Sequence, residues 1–143
     1  MKNGYLMGMI AGAIAGLIDN FASVTSMLIP QLIGWWESMA GTLTWTFSFL
    51  IAQFTSHLAI NMIWGIVFGL IYAQIYDRIP GKGVSKGIVF SLVFYLLISN
   101  IRMGTFSQSY GMYEWTFGTI WTGFFGSLAF GLVLGYLYKK PTK

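Results

Sequence analysis

The chain has 143 residues, of which 56% are apolar, 18% aromatic and 8% charged, with a formal net charge of +4 and a mean hydropathy of +0.69. Soluble domains average roughly 25% charged residues, so this composition leaves too few charges for a water-facing surface, and it argues against intrinsic disorder on the same ground. There is no cysteine and one histidine, His57, which excludes disulfides, thiolate metal sites, thiol nucleophiles and a multi-histidine haem or zinc site within one chain.

No metal and no cofactor is therefore expected. The four acids, Asp19, Glu37, Asp77 and Glu114, are far apart and have no metal or glycosidase spacing. No phosphate-binding loop is present; Gly81-Lys82-Gly83 is the nearest approach and lies in a short loop between apolar runs. No catalytic constellation stands out, and the chain reads as non-enzymatic. The basic residues sit beside the apolar runs, so the positive charge does not point to nucleic acid.

The first predicted element covers about residues 4–29 and ends at Pro30. Lys2, the following apolar run and Ala13-Ile14-Ala15 have the outline of a signal peptide. The run continues past that point, however, and predicts a transmembrane helix. Gly4, Gly8, Gly12 and Gly16 recur every four residues and occupy a stripe about 120° wide. Ile10, Ile14, Leu17, Phe21, Val24 and Leu28 fill the opposite, lipid-compatible face. A small-xxx-small face permits close helix packing, either within the chain or against another subunit. Asp19 falls in the middle of that stripe and is expected to face other helices.

Residues 35–54 combine Trp35, Trp36 and Trp45 with Thr42, Thr44, Thr46, Ser48 and Gln53. This mixture predicts an interfacial or re-entrant helix on the outer side, with an outward extension of the second span as the other option. A fifth span here would put the Lys-rich tail outside. The second span is predicted over 57–76, with Gly65 and Gly69 as packing residues. His57 near its outer end is a hydrogen-bonded anchor or a pH-sensing group. Ile79-Pro80-Gly81-Lys82-Gly83 carries turn signals. The third span is predicted over 86–101 and the fourth over 116–138. In the fourth, Gly123, Ser127, Gly131 and Gly135 form one small stripe, and Gly118, Thr122, Gly126 and Ala129 a second.

With four spans, Lys2, Arg78, Lys82, Lys86, Lys139, Lys140 and Lys143 fall on one side, and only Arg102 falls on the other. The positive-inside rule makes that side cytoplasmic, so both termini are expected inside a plasma (inner) membrane. At 1.5 Å per residue, Asp19 and Asn100 lie about 21 Å from the cytoplasmic end, and Asn61, Arg102 and Thr122 about 24 Å. With Asn20 beside Asp19, these residues predict an intramembrane polar layer. Ionisable groups at such depth are functional candidates. An Asp19–Arg102 ion pair satisfied by asparagines, a proton or small-solute pathway, and a site open to outside water all fit.

Residues 61–87, with Val67-Phe68-Gly69, Tyr72, Asp77-Arg78-Ile79-Pro80 and Gly87, resemble the YagU-like bacterial inner-membrane proteins, as does the glycine-rich opening helix. The resemblance implies a multi-span inner-membrane protein and brings no catalytic residues with it. The expected fold is an all-α integral membrane protein, a four-helix bundle with glycine-rich packing and a short interfacial helix outside. Its expected partners are the lipid bilayer and other membrane subunits or copies of itself. The leading function is a structural or accessory subunit; the alternative is a small oligomeric transporter or proton-conducting protein using Asp19, Asn61, Asn100 and Arg102.

Overall fold

A computed structural model describes residues 2–26, 47–94 and 117–138. These residues form four α-helices: α1 (Lys2–Ser26), α2 (Phe47–Ile75), α3 (Val84–Phe94) and α4 (Phe117–Leu137). A single 3-10 turn, Tyr76–Arg78, follows α2. Two stretches, Asn3–Ser23 and Phe54–Arg78, are long and apolar enough to cross a membrane. The predicted elements at 27–46, 95–116 and 139–143, including the interfacial segment before residue 47, lie outside the described residues.

The second helix begins ten residues before the position expected from its apolar run. Residues 47–54 continue the same helix, which corresponds to the outward extension rather than a separate element there. Thr55, just past this stretch, does not break the helix because its hydroxyl bonds to the helix's own carbonyls. Thr55 Oγ1 donates to Ile51 O at 2.9 Å and lies 3.2 Å from Ala52 O. Such back-bonding satisfies a hydroxyl without a partner helix. Thr25 and Ser26 do the same at the end of α1, donating to Phe21 O and Ser23 O at 2.8 Å each.

Two glycine seams organise the packing. Along α1 and α2 the helices run antiparallel, and each α1 glycine sits in the gap between two α2 residues four apart. Gly8 lies by Gly69 and Ala73, Gly12 by Gly65 and Gly69, and Gly16 by Asn61 and Gly65. A Cβ on any of these glycines would run into a backbone carbonyl of the facing helix. Close approach of this kind brings Cα–H groups against carbonyl oxygens, a weak attraction repeated along the seam. Gly4 is half-buried one turn before the seam. The second seam joins α3 to α4. A Cβ on Gly87 would lie 2.6 Å from Gly135 N, and one on Gly135 would lie 2.8 Å from Val84 O. Gly131 packs against Ser91 and Gly87.

Aromatic rings fill the space between α2, α3 and α4. Phe68 meets Phe94 at 5.8 Å and Phe130 edge-on at 6.3 Å. Tyr72 is fully buried, edge-on to Phe90 at 5.0 Å, Tyr138 at 5.3 Å and Tyr76 at 5.5 Å. These separations fall in the range favoured by aromatic quadrupoles. The Tyr72 hydroxyl is buried without a hydrogen-bond partner among the described residues. An unsatisfied buried hydroxyl costs about 1–3 kcal/mol. Tyr72→Phe keeps the ring contacts and removes that cost, so it is expected to leave stability unchanged or raise it, by about 1 kcal/mol or more. An unfolding titration in detergent reads this directly; a loss above about 1 kcal/mol would mean that the hydroxyl has a partner.

Candidate functional site

The polar residues of α1 and α2 meet where the first glycine seam ends. One turn beyond Gly16, the small stripe gives way to Asn20, which is 2% exposed. Asn20 Nδ2 donates to Phe54 O at 2.9 Å, and its Oδ1 accepts from Asn61 Nδ2 at 3.2 Å. The Phe54 carbonyl belongs to α2, so the asparagine bridges the two helices by side-chain and main-chain contacts together. Buried amides of this kind hold a packing arrangement because any shift leaves donors and acceptors unmet.

Asp19 turns the other way, towards α4. Gly126 of α4 has no room for a side chain, because a Cβ there would meet Asp19 Oδ1 and Ser23 Oγ. Asp19 and Ser23 are one turn apart on α1, and both are half-buried. The junction thus has two parts: an amide pair between α1 and α2, and a carboxylate with a hydroxyl between α1 and α4. A carboxylate between helices is costly unless its charge is balanced or its oxygens are hydrogen-bonded.

Of the predicted polar layer, the structure brings together Asp19, Asn20 and Asn61. Thr122 belongs to α4, one turn before Gly126. Asn100 and Arg102 lie outside the described residues. Ser23, Gly126 and the Phe54 carbonyl complete the junction. Ser23 was legible as the residue four after Asp19, on the same helix face; the carbonyl had no sequence signal. His57 is exposed on α2, with Ser56 Oγ 3.0 Å from its Nδ1.

No protein-family model, curated protein or solved structure matches the chain. Function must therefore be read from the helix surfaces and this junction. Among the packing residues, Gly8, Gly12, Gly16, Gly65 and Gly69 are used between α1 and α2, and Gly131 and Gly135 between α4 and α3. The two small faces of α4 serve different neighbours: Gly126 meets α1, while Gly131 and Gly135 meet α3. Gly123 and Ser127 are half-buried on α4. Gly87 and Ser91, on the α3 side of the second seam, went unassigned as packing residues in the sequence reading. Their signal is the four-residue spacing of Gly83, Gly87 and Ser91.

Proposed function

We propose that the chain is a non-enzymatic integral membrane protein, a four-helix bundle with both termini cytoplasmic. It acts as a structural or accessory subunit that packs against other membrane helices or copies of itself. One observation carries this reading: the outer faces of α1 and α2 are apolar and exposed. Gly8, Gly12, Ala15, Gly16 and Asn20 are buried on the inner face of α1, while Leu6, Ile10, Ile14, Leu17 and Phe21 of α1 and Ile60, Ile63, Trp64 and Val67 of α2 are exposed. Contiguous exposed apolar faces mark membrane or protein contact. Because the described seam glycines are occupied within the chain, an outside partner would meet the bulky faces of α1 and α2. The α2 helix has 29 residues, about 43 Å. This exceeds a hydrocarbon core of about 30 Å, so it tilts or projects beyond the bilayer. Kinship with the YagU-like proteins is part of the proposal and is carried by residues 61–87 and the opening helix.

Gentle detergent extraction from the native membrane, followed by particle mass and composition, tests this reading. The expected result is a particle larger than one chain, with a fixed ratio of partners or copies. A single chain in its detergent micelle would overturn it.

The junction of Asp19, Asn20 and Asn61 favours a second reading, a small oligomeric proton- or ion-conducting protein. An Asp19–Arg102 ion pair would serve the structural reading, and a titrating Asp19 the conducting one. On the conducting reading, Asp19→Asn abolishes proton flux into liposomes made with the purified protein. Flux that is equal in the two proteins, or absent from both, removes that reading.

A further inference from the structure

Among the described residues, the four basic ones, Lys2, Arg78, Lys82 and Lys86, all belong to helix ends and a turn at one pole of the molecule. The antiparallel seam sets Gly8 against Gly69, which brings the start of α1 to the level of the α2 C-terminus. Tyr138, directly after α4, packs on Tyr72 and Tyr76 at 5.3 and 5.1 Å, so α4 ends at this same pole. Arg78, Lys82 and Lys86 lie in and beside the turn between α2 and α3.

The turn itself is fixed. Ile79 is buried beneath it, and Gly81 and Gly83 take positive φ of 101° and 52°, conformations that glycine adopts without strain. Lys82 N–H donates to Ser85 Oγ at 2.9 Å, and Ser85 Oγ donates to Lys82 O at 2.8 Å. The three cations are not equivalent. Lys86 is tied down, with Nζ donating to Tyr76 O at 2.6 Å and lying 4.3 Å from the Tyr76 ring centre. Arg78 and Lys82 are exposed on either side of Pro80, and neither side chain bonds within the described residues.

We propose that Arg78 and Lys82 bind the phosphate groups of anionic phospholipids, with Lys86 holding the turn that presents them. This rests on the membrane reading above. Lipid is favoured over a soluble acidic partner because Arg78 and Lys82 sit in the turn between α2 and α3, helices that expose Ile63, Trp64, Val67, Val89 and Val93. A phosphate group bound there would keep its acyl chains against those side chains. Basic residues near an anionic leaflet each contribute roughly a fivefold gain in affinity.

The test uses the full chain reconstituted into vesicles of phosphatidylcholine, with and without phosphatidylglycerol. Lipid retained on the extracted particle is counted by native mass spectrometry. The wild-type protein is expected to retain phosphatidylglycerol over phosphatidylcholine. In the Arg78→Gln/Lys82→Gln variant that preference is expected to fall about tenfold or more, while Lys82→Arg retains it. Equal retention of the two lipids by the wild type, or an unchanged preference in the double variant, overturns the proposal. Displacement of the lipid by inorganic phosphate would assign the site to the free ion and overturn it too. Flotation with phosphatidylcholine vesicles is scored separately. A chain that floats without anionic preference sinks this proposal alone; one that does not float sinks the membrane reading with it.

Discussion

Gly12→Ala is expected to destabilise the protein by about 1–3 kcal/mol, and Gly12→Val by more. The sign is the informative part. On an open helix surface the same change gains up to about 1 kcal/mol through helix propensity. Here a Cβ on residue 12 would run into Gly65 O and lie 2.9 Å from both Gly65 C and Gly69 Cα. All three atoms are backbone, so no side chain can swing aside and the two helices have to separate. That separation weakens the neighbouring contacts of Gly8 and Gly16 as well. Ile14, two residues on, is 42% exposed, and Ile14→Leu is expected to stay within about 0.5 kcal/mol of the parent. The pair is read by equilibrium unfolding in mixed detergent. A gain in stability for Gly12→Ala would show that the α1–α2 seam is not the packing the protein uses.

The α1 face was legible because glycine at a spacing of four leaves one side of a helix nearly bare. Its partner was not legible, since spacing identifies a face and says nothing about which helix covers it. The turn at residues 79–83 was readable from proline and two glycines, and the structure gives both glycines positive φ. From the sequence, α2 starts at His57 because Ser48 and Gln53, with the threonines and tryptophans before them, read as an interfacial or re-entrant segment; the helix begins at Phe47, as the outward-extension option has it. Thr55 bonds to its own helix and so costs that helix little. In the junction, Asp19, Asn20 and Asn61 stood out as polar residues at matching depth. The division of Asn20 towards α2 and Asp19 towards α4 was hidden, because adjacent residues point about 100° apart and the neighbours' order around α1 is a tertiary fact.

Asn20→Leu is expected to cost about 1–3 kcal/mol, because it leaves Phe54 O and the Asn61 amide without their buried partner. Asn61→Leu removes one of the same bonds. The Asn20→Leu/Asn61→Leu double variant should therefore cost less than the two single changes combined, with a coupling of about 0.5–3 kcal/mol. Unfolding midpoints of the three variants and the parent complete the cycle. Strict additivity would mean that the two asparagines do not act on each other, and the amide pair would lose its standing as the lock between α1 and α2.

The spacing of the α1–α2 seam carries an ambiguity of its own. A ladder of small residues four apart looks the same after a slip of one rung, about 6 Å along the helix axis. Gly12 would then lie by Gly69 and Ala73, and Gly16 by Gly65 and Gly69, small residues in each case. Asn20 cannot make that move and keep Phe54 O within reach. The glycines allow two helices to touch along their length, and the asparagine acts as the index pin that decides which notch they occupy.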